Sequence, residues 1–405
     1  MTSASPRPAA QRKPNAAGDR KVLVALGLAG ICAFVNFYAT QPLLPLFAAA
    51  FGASKGQAAL TVSAPPIAVA LVSPFVGALA ARVGRRRVIV LSLFLLVVPT
   101  ALAATARGIG ALVVWRFLQG LVVPGIYAVS IAYVSEAWHG RDVGLALSTL
   151  VSSNVVGGFL GRTVAALAAE QLGWRAAFLC LGAVTLAGAE TVRRLLPEAR
   201  TAAGGFRLRP DARLSDVVRP RLLATYAVGF NVLFVLVATF TYVTFHLAAP
   251  PFSLGPVALG GIFVVYLVGA LVTPIAGRWI DRVGSRLTLA VAAACGLLAN
   301  LLILSPRLWV VVVGLAVACS AAFVSQSAST SFLHRAAPGS AHAIASGVYV
   351  SSYYLGGSAG GVFPALAWRT GGWPACVALV ALVQLLTIAL ALRFWSAPRR
   401  SPELG

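Results

Sequence analysis

Two arginines, Arg116 and Arg162, stand inside long apolar runs of this 405-residue chain. A guanidinium is permanently charged and presents a rigid fork of N–H donors. In a low-dielectric setting it needs acceptors or an anion, unless its stem lets the head reach an interface. The same runs carry amides and phenols: Asn36 and Gln41, Gln119 and Tyr127, Asn154, Asn231 and Tyr242, Gln326, and Tyr353. An amide buried without a partner is costly, so these side chains must face protein or water. They are candidates for lining a solute cavity, with hydrogen bonding between helices as the competing use. The chemistry they allow is non-covalent: contact with a solute or counter-ion, or a proton-linked switch. No Asp or Glu falls near the middle of an apolar run, and His246, His334 and His342 all sit at run ends, which favours an interfacial role for the imidazoles. A cavity with cations and no buried carboxylate suits an anionic or neutral solute better than an organic cation.

Catalytic and metal patterns are lacking. There is no GxxxxGK[ST] and no HExxH, and the five cysteines are scattered singly. The GxSxG string at Gly356–Gly360 lies in mid-run, without the strand, His and acid that such an elbow requires. An enzyme, a metal site and a cofactor are not expected.

The elements that must position these residues follow from composition. The chain is 59% hydrophobic and 10% charged, with mean hydropathy +0.88, against about 25% charged in soluble domains. Twelve runs reach the ~20 residues needed to cross a bilayer: 22–48, 57–80, 88–106, 109–136, 143–168, 174–195, 222–248, 256–279, 287–305, 308–332, 342–367 and 373–394. The expected architecture is an all-α integral membrane protein with 12 transmembrane helices. Residues 1–21 are expected to be a disordered basic tail rather than a signal peptide. Bundles at 22–195 and 222–395 flank a linker at 196–221, and 396–405 form a second tail. The formal net charge of +22 would suit a nucleic-acid binder in a soluble chain. Here it is asymmetric along the runs: with the N-terminus inside, 25 of the 32 Lys and Arg fall in inside segments and five outside. The positive-inside rule then puts both termini in the cytoplasm and excludes a nucleic-acid role. The partners expected are lipid and a small-molecule substrate, for a monomer.

The two halves repeat. Ala70-Leu71-Val72-Ser73-Pro74 matches Ala270-Leu271-Val272-Thr273-Pro274, and Gly77, Arg82, Gly84 and Arg86 match Gly277, Arg282, Gly284 and Arg286. Later in each half, Gly157, Gly158, Gly161, Gly173 and Trp174 match Gly356, Gly357, Gly360, Gly372 and Trp373. Such parallel halves around a midplane cavity describe alternating-access transporters. The pairs Gly157/Gly161 and Gly356/Gly360 form GxxxG elements suited to close helix packing.

On these motifs the chain resembles the major facilitator superfamily. Gly77 to Arg87 resembles its loop motif (G-x-x-x-D-R-x-G-R-[RK]), and Gly277 to Arg286 is similar to the weaker second copy. Arg116-Phe-Leu-Gln119-Gly120 resembles a fourth-span element, and Gly157 to Arg162 stands where drug antiporters carry glycine-rich sequence. Asn154 to Arg162, with Gln41-Pro42-Leu-Leu-Pro45, looks most like the YnfM-like and arabinose-efflux-like branch. The resemblance implies two pseudo-symmetric six-helix bundles and a gate of charge contacts built from Arg82, Arg85 and Arg86, then Asp281, Arg282 and Arg286. Ala81 stands where the motif has Asp, so Glu136 is the expected partner of Arg82, Arg86 or Arg141, and Arg335 that of Asp281. The function implied is secondary active transport in a bacterial-type inner (plasma) membrane, proton-coupled export of a small organic solute or drug. A uniporter or symporter importing a small metabolite or organic anion is the alternative. A receptor or scaffold would need an extramembrane surface that the short loops do not offer.

Overall fold

The structure is a computed structural model that describes residues 16–138, 141–198, 216–337 and 342–395. The described residues are helical and connected by short turns. In the first half, α1 (Ala16–Phe37) breaks at 38–40, continues through a 3-10 turn (Gln41–Leu43) and resumes as α2 (Leu44–Phe51). α3 (Lys55–Val83), α4 (Arg85–Ala103), α5 (Ile109–Ala137), α6 (Arg141–Leu172) and α7 (Trp174–Leu195) follow. The second half repeats the pattern with α8 (Pro220–Ala248), the broken pair α9 (Pro256–Ile262) and α10 (Val265–Val283), α11 (Ser285–Leu302), α12 (Leu308–Ala336), α13 (His342–Val362) and α14 (Pro364–Phe394). Non-helical backbone at Gly371 and Gly372 divides α14, so its start completes the eleventh crossing and its remainder forms the twelfth.

Helix α1 begins at Ala16, inside the segment expected to be a tail. Residues 1–15, most of the expected linker (199–215) and the tail 396–405 lie outside the described residues.

Eleven segments are long and apolar enough to cross a membrane. The helix α13, rich in Gly, Ser and Tyr, completes the twelve. Leucines and aromatics such as Phe75, Leu271, Leu301, Trp309 and Leu382 are more than half exposed around the outside. So broad an apolar surface needs lipid to cover it.

The repeated loop turns at Gly84 (φ 99) and Gly284 (φ 83), a backbone region that costs glycine nothing. The repeated GxxxG glycines seat α6 on α1 and α13 on α8. A Cβ on Gly161 would lie 2.0 Å from the Val35 carbonyl oxygen, and one on Gly356 would lie 2.0 Å from that of Phe230. Between the halves, α3 packs on α13, and α6 on α9 and α10.

Candidate functional site

A cavity of about 370 Å³ lies between the halves, bounded by α3 and α5 on one side and α12 and α13 on the other. It lies towards the arginine-rich end, the end of α12 and the start of α13. Val69, Val123, Ile131, Leu333 and Val350 give it apolar walls, with Tyr127, Gln326, Tyr349, Tyr353 and Tyr354 as polar lining. Of the sequence candidates, Tyr127, Gln326 and Tyr353 are thus brought together, and Asn154 interacts with Tyr127. The Asn154 Oδ1 is buried without a hydrogen bond. His334 and His342 also line this cavity, their rings 4.7 Å apart and edge-on.

The opposite end is sealed. The Gln41 amide donates to the Thr241 hydroxyl at 3.3 Å, joining residues 200 apart in the chain across the two halves. Tyr242 donates to the Gly361 carbonyl at 2.9 Å. Further out, Glu170 accepts from the Val257 amide at 2.8 Å, and the Lys55 ammonium lies 4.4 Å from the Trp368 ring centre.

Arg116 and Arg162 are both fully buried, at 0% and 1% exposure. Arg116 donates to the carbonyls of Asn36 (2.7 Å), Phe37 and Thr61 (2.9 Å), and to Gln119 Oε1. The break after α1 explains this. Pro42 has no N–H for the Tyr38 carbonyl, the helix ends at Phe37, and its last carbonyls need another donor. The network continues from Gln119 to Thr100, and from Thr100 to Asn36 and on to Thr185. Asn36, Arg116 and Gln119 therefore form a satisfied network inside the first half and lie apart from the cavity lining. The second half keeps part of it, an Asn300–Gln384 bond of 2.7 Å, without an arginine. Asn231 lies beside it on a small, mostly apolar void of about 20 Å³, its Nδ2 without a partner.

Arg162 is placed differently. Its Nε donates to Gln41 Oε1 and its Nη1 to the Gly158 carbonyl, both at 2.8 Å, while its Nη2 is buried without a partner. Three rings surround the guanidinium: Tyr38 at 4.9 Å, and Phe263 and Tyr266 at 4.5 Å. No described carboxylate pairs with it. Phe263 and Tyr266 belong to the second half, so this side chain bridges the two bundles.

Tyr38, Phe263 and Tyr266 do not stand out in the sequence, because an aromatic residue in an apolar run looks like ordinary lipid-facing or core packing. The repeats give no hint either, since the cage draws on unrelated positions in the two halves.

Two of the loop-motif arginines, Arg86 and Arg286, act within their own halves. Arg86 holds the C-terminal end of α7, donating to the Arg193 carbonyl at 2.8 Å and to that of Leu196, with the Glu198 carboxylate at 3.9 Å. Its repeat mate Arg286 donates to the Leu392 carbonyl near the end of α14 at 2.6 Å. A cation at a helix C-terminus meets unpaired carbonyls and the negative end of the dipole. Arg335 donates to the Ser285 hydroxyl rather than to Asp281, which has no ion pair among the described residues. The side chains of Glu136 and Arg141 lie outside the described residues. Gly77 has open space around it, as does Gly277.

The family model of the Major Facilitator Superfamily matches residues 26–361. The chain belongs to the major facilitator superfamily. It is a multi-pass membrane transporter, not an enzyme, and moves a small-molecule substrate across a bilayer. The inner membrane transport protein YnfM of Escherichia coli is 27% identical over 92% of this chain and 90% of its own length. An MFS-type transporter of Bacillus subtilis, YybF, is 27% identical over 92% and 93%. Among solved structures, a bacterial homolog of the human lysosomal transporter Spinster, in an inward-facing and occupied conformation, superposes with a TM-score of 0.71 at 15% identity. It covers 95% of this chain and 96% of that one. That likeness is one of fold. Within the superfamily fold, the candidate site is the cavity together with the aromatic-arginine cluster around Arg162.

Proposed function

We propose that this transporter exports a small organic solute by proton antiport, with both termini in the cytoplasm. The lysine and arginine asymmetry supports that orientation, which makes the cavity open inward. The resemblance of the fourth- and fifth-span motifs to efflux proteins supports export. Proton coupling rests on one observation: His334 and His342 stand 4.7 Å apart and line the cavity. They are the imidazoles of its lining, a side-chain type suited to passing a proton.

The test uses inside-out vesicles carrying a pH gradient and a library of small organic solutes. Solutes that are carried dissipate the gradient, and the His334→Asn, His342→Asn double variant carries them without doing so. Labelled flux that leaves the gradient untouched in the wild type overturns proton antiport. It would favour the import reading, uniport or symport of a small metabolite or organic anion.

A further inference from the structure

We infer that Arg162 is the anchor for the carboxylate of an organic monoanion, and that binding it releases the seal between the bundles. The inference rests on the transport reading for its setting and adds a substrate class and a binding atom.

A buried charge is retained only with compensation. For Arg162, two hydrogen bonds and three ring faces supply part of it, and the Nη2 donors remain unused. Arg116 shows what completion looks like in this same chain, with acceptors on every nitrogen. The missing partner of Arg162 is an acceptor bearing negative charge. The nearest described acid along its helix, Glu170, is occupied two turns further out by the Val257 amide.

The route from cavity to guanidinium is a ladder of rings. Tyr353 and Tyr354 line the cavity with centroids 5.6 Å apart; Tyr354 meets Phe37 at 6.0 Å, and Phe37 meets Tyr38 at 4.7 Å. Tyr38 then covers Arg162. A ligand at the end of the cavity is separated from the charge by this aromatic layer, which rotamer changes can open. The apolar walls and ring faces favour a ligand with an aromatic or aliphatic body, and the guanidinium fork favours a carboxylate head.

Conformational coupling follows from where the cage comes from. Phe263 and Tyr266 reach Arg162 from the other bundle. A carboxylate bound to Nη2 replaces ring contacts with a stronger partner inside the first bundle. A ligand shifts an equilibrium only through differential interaction with its states, and loss of this inter-bundle contact is such a difference.

The experiment measures thermal stabilisation of the purified full-length protein by matched pairs: benzoate and benzamide, indole-3-acetate and indole-3-acetamide, octanoate and octanamide. The expected result is binding of at least one carboxylate tenfold or more tighter than its amide. Arg162→Gln abolishes that preference, and Arg162→Lys restores part of it. Equal affinity within every pair, no stabilisation by any carboxylate, or a preference that survives in Arg162→Gln overturns the inference. Circular dichroism and a monodisperse elution profile establish that the variants are folded. Carboxylate selectivity without movement of protons would fail the antiport reading alone. Proton-coupled flux without carboxylate selectivity would fail this one alone.

Discussion

Arg116 and Arg162 are the same residue type, lie in the same bundle, and are buried to the same extent. Arg116 faces the frayed end of a broken helix, where backbone carbonyls have lost their own partners. Arg162 lies between bundles, where the nearest groups are ring faces and one amide, and part of its fork is unused. Burial therefore does not tell these two arginines apart. The state of their donors does. A saturated guanidinium holds one arrangement, whereas an unsaturated one across an interface can exchange partners when the interface moves.

The largest effect expected concerns Arg116. Arg116→Met leaves the carbonyls of Asn36, Phe37 and Thr61 and the Gln119 amide oxygen without their donor. Each buried orphan costs about 1–3 kcal/mol, so the folded yield collapses, read as the monodisperse fraction on size exclusion. Arg116→Lys does not restore it, because one ammonium cannot span acceptors on α1, α3 and α5. Wild-type yield for Arg116→Met would remove the contrast between the arginines. Next in size is Gly161→Val, which displaces the helix segment that carries Arg162. Its Cβ would meet the Val35 carbonyl oxygen, a backbone atom, at 2.0 Å. Overpacking of this kind costs about 1–3 kcal/mol, measured as a lower denaturation midpoint. It should abolish flux, and unchanged flux would show that register between α6 and α1 is unimportant.

How far these roles are legible in sequence differs between the two residues. Twelve spans, the duplication and the glycine contacts are periodic features, and both halves write them twice. The arginines are visible because charge is rare in apolar runs. Their environments are not, because Asn36, Phe37 and Thr61 contribute through the backbone, and Tyr38, Phe263 and Tyr266 come from distant segments. The gate charges show the same limit: Arg86 and Arg286 meet carbonyl oxygens of their own bundles, acceptors that every residue carries and no motif records. His334 and His342 look interfacial at the ends of their runs, but crossing geometry brings them together on the cavity.

Arg162→Gln should cost much less stability than Arg116→Met, because the side-chain acceptor it leaves without its donor is Gln41 Oε1 alone, an orphan worth about 1–3 kcal/mol. Flux should nevertheless be lost. Parallel loss of stability and flux would assign Arg162 the same structural role as Arg116.

The smallest effect tests the bridge itself. The Gln41 amide orients toward both Arg162 Nε and the Thr241 hydroxyl, so the arginine is tied to the second bundle by a hydrogen bond as well as by rings. Thr241→Val removes that bond and keeps the shape. A hydrogen bond contributes about 0.5–1.5 kcal/mol, and 1.4 kcal/mol is about tenfold in an equilibrium. The population with the seal open should therefore rise roughly 2–10-fold. Cys319 reports it: this buried thiol lies close enough to Arg162 to interact with it electrostatically. With Cys32, Cys180, Cys295 and Cys376 replaced by Ala, maleimide labelling of Cys319 measures opening, since a buried thiol reacts only when the structure around it opens. The labelling rate should rise in Thr241→Val and rise again when Arg162→Gln is added, because the ring contacts and the hydrogen bond are separate ties between the bundles. A rate unmoved by either change would mean that the seal is held by the outer contacts of Glu170 and Lys55, and that Arg162 is not part of it.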